Sequence, residues 1–189
     1  MSETTGDRTH INRTIYQLDL LRKRLSPQEF GRVMQQALAC AFEAAGFRVV
    51  ENAIGVPDFI ATLPMTSGES QTLAVEVKTS DKSKIVLTKR GLDGIRTPGQ
   101  SGVLAVLDFP ALNPRWLLIP ETSVTARSWE IRHLRMKPQV DVGFDVDEMF
   151  HRIMGCLEAG MAPGGPELDG WIKAQRHAFH AMNSRQAAP

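Results

Sequence analysis

An α/β chain with a mixed central sheet flanked by helices is predicted by three features of the sequence. The first part carries apolar residues at helical spacing, the stretch from Phe47 to Lys78 switches to short β-rich runs, and helix and strand then alternate again up to Ile119. Ile11, Ile15, Leu18, Leu21 and Leu25 recur at three- and four-residue steps, the mark of one helical face. A second helix opens at Ser26-Pro27-Gln28-Glu29. Ser26 can cap it, Pro27 suits the first helical position, and Glu29 can reach back to close a capping box. Its stripe runs Phe30, Val33, Met34, Ala37, Leu38, Ala41, Phe42 and Ala45, and Gly46 stops it.

Three strands in a meander are predicted next, from Phe47 to Val50, Asp58 to Leu63 and Gln71 to Lys78, divided by Gly, Pro and Ser. In the third, Leu73, Val75 and Val77 alternate with Ala74, Glu76 and Lys78, so an acid and a base share one face. A short helix capped by Thr88 is expected to Ile95, followed by strands over Gly102 to Phe109 and Trp116 to Ile119. Beyond these, Trp129 to Arg135 suits an edge strand. A helix begins near Asp145 or Asp147 with Val146, Met149, Phe150, Ile153, Met154 and Leu157 as its stripe, which suits core or dimer contact. Residues 160–166 hold three Gly and two Pro and read as a linker, and a last helix is expected from Glu167 to about Met182. The ends, Met1 to Thr9 and Ser184 to Pro189, are expected to fray. The organisation is therefore an N-terminal helical arm (1–25), a core (26–120) and a mostly helical C-terminal extension (121–189).

The chain has 189 residues, 42% apolar and 23% charged, enough at this length to bury about 70% of the unfolded chain's surface without disulfides or structural metals. No apolar run approaches the ~18 residues that span a bilayer, and the start, Met-Ser-Glu-Thr-Thr-Gly-Asp, has neither the basic nor the apolar region of a signal peptide. A cytoplasmic protein with no membrane partner is expected. Cys40 and Cys156 lie far apart on helical segments, as reduced, buried thiols do, and no disulfide framework follows from them. His10, His133, His151, His177 and His180 lack metal-ligand spacing and read as surface or packing residues.

Chemistry concentrates at Asp58, which follows Gly55-Val56-Pro57 at the head of a strand, and at Glu76 and Lys78 on the next. If these strands are hairpin neighbours, their ends meet. Two carboxylates a few ångströms apart repel, and a divalent cation between them relieves that. Mg²⁺ suits such a pair, because it takes a few carboxylate oxygens and keeps waters that can act on a phosphate. Lys78 would position a water or offset charge developing on that phosphate.

Pro57-Asp58 followed by Glu76-Val77-Lys78 resembles the signature of the PD-(D/E)XK superfamily of metal-dependent DNA nucleases, and the αβββαβ order is similar to its restriction-endonuclease-like core. The resemblance covers Ser26 to Ile119, and within the superfamily it is greatest to archaeal-type Holliday-junction resolvases. Gly46-Phe47, the basic run from Lys82 to Ile95, Val103 to Phe109 and Trp116 fall where that pattern has its counterparts. The resemblance implies a Mg²⁺-dependent DNA endonuclease, with Mn²⁺ as a substitute, hydrolysing phosphodiesters by a metal-bound water. It implies Asp58, Glu76 and the Val77 carbonyl as metal ligands, Lys78 as the catalytic lysine, DNA as the partner and a homodimer as the working form. One position departs: the first-helix glutamate of resolvases, eleven residues before Gly-Phe, corresponds here to Gln35, whose amide can orient a water but adds no charge. Glu43 and Glu29 are the other acids on this helix, and the capping box accounts for Glu29.

The formal net charge of +1 conceals a segregation. Lys82, Lys84, Lys89, Arg90 and Arg96 face only Asp93 and are candidates for phosphate contact beyond the catalytic strand, against the plainer reading of a solvated surface. From Arg8 to Arg32 six basic residues outweigh two acids, whereas from Asp141 to Asp169 seven acids oppose Arg152 alone. That acidic extension is a candidate surface for a protein partner. Two other readings stand beside the resolvase-like one: a restriction or phage-defence endonuclease of the same fold, and a catalytically inactive DNA-binding or assembly module in which Gln35 marks lost chemistry.

Overall fold

The computed structural model describes residues 5–52, 55–64, 70–80, 82–109, 113–157 and 164–186. In chain order its elements are α1 (Thr5–Arg24), α2 (Pro27–Ala44), β1 (Arg48–Glu51), β2 (Phe59–Pro64), β3 (Ser70–Lys78) and β4 (Lys84–Leu87). There follow α3 (Lys89–Ile95), β5 (Ser101–Asp108), β6 (Arg115–Pro120), β7 (Arg127–Glu130), α4 (Ile131–Leu134), α5 (Val146–Cys156) and α6 (Leu168–Gln186). Two compact units result: Met1–Ala44 joined with Asp145–Pro189, and Ala45–Phe144. No helix among the described residues is long and apolar enough to cross a membrane.

The first unit is helical. The capping box at its second helix is formed: Glu29 N–H donates to Ser26 Oγ at 3.3 Å and Ser26 N–H to Glu29 Oε2 at 2.8 Å. Glu29 Oε1 also accepts from Gly165 N–H at 2.5 Å, and these backbone donors hold its carboxyl below the usual range. Gly46, at φ +93°, ends that run in the left-handed region a glycine tolerates. Asp145 caps α5 by accepting from Glu148 N–H at 2.9 Å. Packing of α1 and α2 on α5, and of α2 on α6, buries Leu18, Leu21, Met34, Leu38, Phe150 and Met154 completely. His151 is a packing histidine, its Nδ1 2.9 Å from the Thr14 hydroxyl in the same core.

The second unit is a five-stranded mixed sheet in the order β1-β2-β3-β5-β6, in which only the β3–β5 pair is parallel. This is the αβββαβ order of elements expected from the sequence, and the first three strands form the expected meander. Thr88 caps α3 as expected, its Oγ1 accepting from Gly91 N–H at 3.1 Å. One face of the sheet carries Leu104 and Val106 of β5 and Leu117 and Ile119 of β6. They pack in one cluster with Leu92 and Ile95 of α3 and with Ile85, Leu87 and Trp129.

Four expectations need correction. A strand not anticipated, β4, pairs antiparallel with β7, Ile85 opposite Trp129, as a separate two-stranded ribbon. The run from Trp129 to Arg135 is strand only as far as Glu130. It then turns into the short α4, because Ile131 and Leu134, three apart, reach the same core only on a helical turn. The first and last helices extend further than expected, from Thr5 and to Gln186. Cys156 is half-buried rather than buried, whereas Cys40 is buried, and the two are not joined in a disulfide. Of the expected linker, residues 160–163 lie outside the described residues, and Gly165–Glu167 form a 3-10 turn.

Candidate active site

Strand pairing brings the chemistry together. The β2–β3 ladder aligns Phe59 with Val75, so Asp58, one step before β2, stands across from Glu76. The segment leading to Asp58 is anchored by a residue that pattern reading passed over. Asn52 Nδ2 donates to the Pro57 carbonyl at 2.7 Å, and its backbone N–H donates to the Asp58 carbonyl at 2.9 Å. The Val56–Pro57 peptide is cis. Asp58 Oδ2 in turn accepts from Val77 N–H at 2.7 Å, which fixes the carboxylate against β3.

Glu76 lies on the face of β3 that continues into Leu104 and Val106, since β3 and β5 align Glu76 with Leu104 and Lys78 with Val106. It is only 3% exposed. Lys78 Nζ donates to its Oε1 at 2.6 Å. The other oxygen, Oε2, is buried and has no hydrogen-bond partner among the described residues. Burial pushes the Asp58 carboxyl above the ordinary carboxylate range, against the pull of the Val77 N–H and the Lys78 charge. Burial likewise raises Glu76, with Lys78 opposing, the Asp58 charge adding to the rise and Arg90 lowering it.

Helix α3 closes over this pair because it carries glycine where it comes nearest. A Cβ at Gly91 would stand 2.9 Å from Glu76 Oε1, and one at Gly94, a turn later, 2.6 Å from the Val56 side chain just ahead of Pro57-Asp58. A buried carboxylate oxygen without a donor, next to a second raised carboxyl, is the environment a hard divalent cation satisfies. Asp58 and Glu76 therefore fit a Mg²⁺-type ion. Val77 contributes its N–H to Asp58.

The basic candidates Lys82, Lys84, Lys89, Arg90 and Arg96 are all exposed and all belong to this unit. Lys82 precedes β4, Lys84 lies on it, Lys89 and Arg90 open α3, and Arg96 follows its last turn. Lys84 pairs with Glu130 at 3.7 Å, and Glu130 also holds Arg132 at 2.7 Å. The ribbon adds further cations that the linear sequence kept apart: Arg127 and Lys137 stand 3.8 and 5.2 Å from the centre of the Trp129 ring. Gln35 is half-buried on α2, in the helical unit. In the acidic segment, Asp145 is a helix cap, Asp141 accepts from Gly143 N–H at 2.8 Å, and Asp169 pairs with Arg32 at 3.2 Å.

No protein-family model matches the chain, and no curated protein matches it. Among solved structures it is similar to Hjc, a Holliday junction resolvase of the archaeal hyperthermophile Archaeoglobus fulgidus, at 19% sequence identity and a TM-score of 0.42, over 58% of this chain and 89% of that one.

Proposed function

We propose that the protein is a Mg²⁺-dependent DNA endonuclease acting on branched DNA in the manner of a resolvase. The observation that carries this reading is the pair of apposed carboxyls, Asp58 and Glu76, with a buried Glu76 oxygen that has no donor among the described residues and Lys78 bonded to its other oxygen. When bound, the ion supplies Lewis acidity and a water of lowered pKa. The chain's own groups do the rest. Val77 N–H fixes the Asp58 carboxylate, Lys78 fixes the Glu76 rotamer, and the Lys78 ammonium sits where it can offset negative charge gathering on the phosphate. The exposed cations of β4 and α3 guide the phosphate backbone towards the site. A homodimer belongs to the same proposal, since two sites related by a two-fold axis can cut two strands.

The test is cleavage of a four-way junction, a linear duplex, a flap and a single strand, side by side, with and without Mg²⁺. Cutting of the junction only with Mg²⁺, abolished by Asp58→Asn and by Lys78→Ala with the circular dichroism unchanged, is expected. Undiminished cutting by either variant sinks the site assignment. Preferential cutting of linear duplex moves the reading to a restriction or defence enzyme. Salt-sensitive DNA binding without any cutting in Mg²⁺ or Mn²⁺ rejects the enzyme reading in favour of an inactive binding module.

A further inference from the structure

In the helical unit, α2 places Cys40 and Glu43 three residues apart on one helix face, and α6 brings His180 against them. Cys40 Sγ lies 3.8 Å from His180 Nε2, and Glu43 Oε2 lies 2.8 Å from that same nitrogen. All three ligand atoms fall within 4.8 Å of one another, with Cys40 buried and the other two half-buried.

That both neighbours address one nitrogen is informative. As N–H, Nε2 can donate to Glu43 and only weakly to the Cys40 sulfur; as a lone pair, it accepts from Cys40 but repels the carboxylate. A nucleophilic Cys-His-acid arrangement uses opposite ring nitrogens for its two partners, so this geometry does not serve that chemistry. A cation at the centre takes a lone pair from all three at once. We propose that Cys40, Glu43 and His180 form a Zn²⁺ site that clamps α2 to α6.

The donor set supports zinc over the hard cations. One thiolate, one imidazole and one carboxylate suit a borderline-soft ion, and three protein ligands leave a fourth tetrahedral position for water. Tetrahedral zinc with ordinary bond lengths separates its sulfur and nitrogen ligands by about 3.6 Å and its oxygen and nitrogen ligands by about 3.4 Å. The sulfur–nitrogen spacing is thus nearly in place, and the carboxylate has only to open by about 0.6 Å. Glu43 is also steered from behind. Arg176 Nη2 holds its other oxygen, Oε1, at 2.5 Å, while Arg176 Nη1 is fixed by Gln36 Oε1 at 2.6 Å, leaving Oε2 aimed at His180. Binding converts the Cys40 thiol to a thiolate and releases its proton to solvent, and the two anionic ligands then balance the ion's charge.

Titrating the metal-free full chain with Co²⁺ as a spectroscopic stand-in tests this. One thiolate-bound ion per chain, counted from a thiolate-to-cobalt charge-transfer band with tetrahedral d–d bands, accompanied by proton release and displaced by Zn²⁺, is expected. Cys40→Ser should remove the charge-transfer band. His180→Gln, at a half-exposed position that folds readily, should weaken Zn²⁺ at least about tenfold. Cys156→Ser and Asp58→Asn should leave the spectrum unchanged, the latter separating this site from the proposed nuclease centre. Absence of the band, its survival in Cys40→Ser, its loss in Cys156→Ser or unaltered Zn²⁺ affinity in His180→Gln would overturn the assignment. Should Cys40→Ser fail to fold, the His180→Gln affinity alone decides.

Discussion

Replacing Gly91 by alanine separates positioning of the site from stability of the fold. Gly91 lies inside α3 at an ordinary negative φ, so the backbone accepts alanine, and helix propensity alone favours the change by about 0.5–1 kcal/mol. The new Cβ, however, would stand 2.9 Å from Glu76 Oε1 and 3.4 Å from a Leu87 methyl. Ordinary contact begins near 3.4 Å, so the carboxylate must retreat by about 0.5 Å, the tolerance within which a catalytic group has to be held. It has little room to do so, being 3% exposed and tethered to Lys78. With ~100-fold lost for a 1 Å misplacement, roughly a tenfold loss in cleavage rate is expected, with global stability changed by less than about 1 kcal/mol. Single-turnover cleavage at saturating Mg²⁺, paired with urea unfolding, reads both quantities. Wild-type rate and wild-type Mg²⁺ dependence in a folded Gly91→Ala protein would refute the idea that the close approach of α3 sets the Glu76 geometry.

Because burial raises Glu76 and Asp58 in the folded chain, that state binds more protons between the unfolded and folded pKa values, and the pair's contribution to stability falls as pH rises through that window. In metal-free protein, Glu76→Gln should therefore gain on the wild type as pH climbs above the ordinary carboxylate range, and Mg²⁺ should stabilise only the wild type; a urea midpoint difference that stays flat with pH contradicts this. Lys89→Ala and Arg90→Ala should each weaken binding of junction DNA and reduce the slope of log affinity against log salt by about 0.9 per lost phosphate contact, measured by fluorescence anisotropy; unchanged slopes would remove them from the DNA path. Arg135→Ala should cost about 2 kcal/mol in urea unfolding, because Asp108, 2% exposed, loses its two-pronged partner at 2.7 and 2.8 Å and keeps Arg115 at the longer distance of 3.7 Å; restoration of part of the loss by Asp108→Asn in the same chain checks the cause.

What could be read from the sequence was what rests on neighbours along the chain. The capping box of Ser26 and Glu29, the Thr88 cap and the two-residue alternation that sets Glu76 and Lys78 on one face depend on spacings of a few residues. Features built by remote pairing were not legible. The four residues of β4 sit among lysines and become a strand only because β7, more than forty residues on, supplies the other half of the ladder. Asn52 looks like any loop residue until its side chain meets the Pro57 carbonyl, and Gly91 looks like a weak point in a helix until Glu76 is placed beneath it. His180 carries no spacing signal at all. Its partners on α2 lie 137 and 140 positions earlier, and the sequence reading of the histidines as surface or packing residues had no means of finding them.

The division of the chain has a consequence for how the protein is made. The sheet unit, Ala45–Phe144, is one uninterrupted stretch and can complete its strand ladders as soon as it has left the ribosome. The helical unit is assembled from both flanks of that stretch, so α1 and α2 emerge before the sheet unit yet find α5 and α6 only after it. Until then Leu18, Leu21, Met34 and Leu38 remain without the surfaces that bury them, and the helical unit is the later of the two to fold.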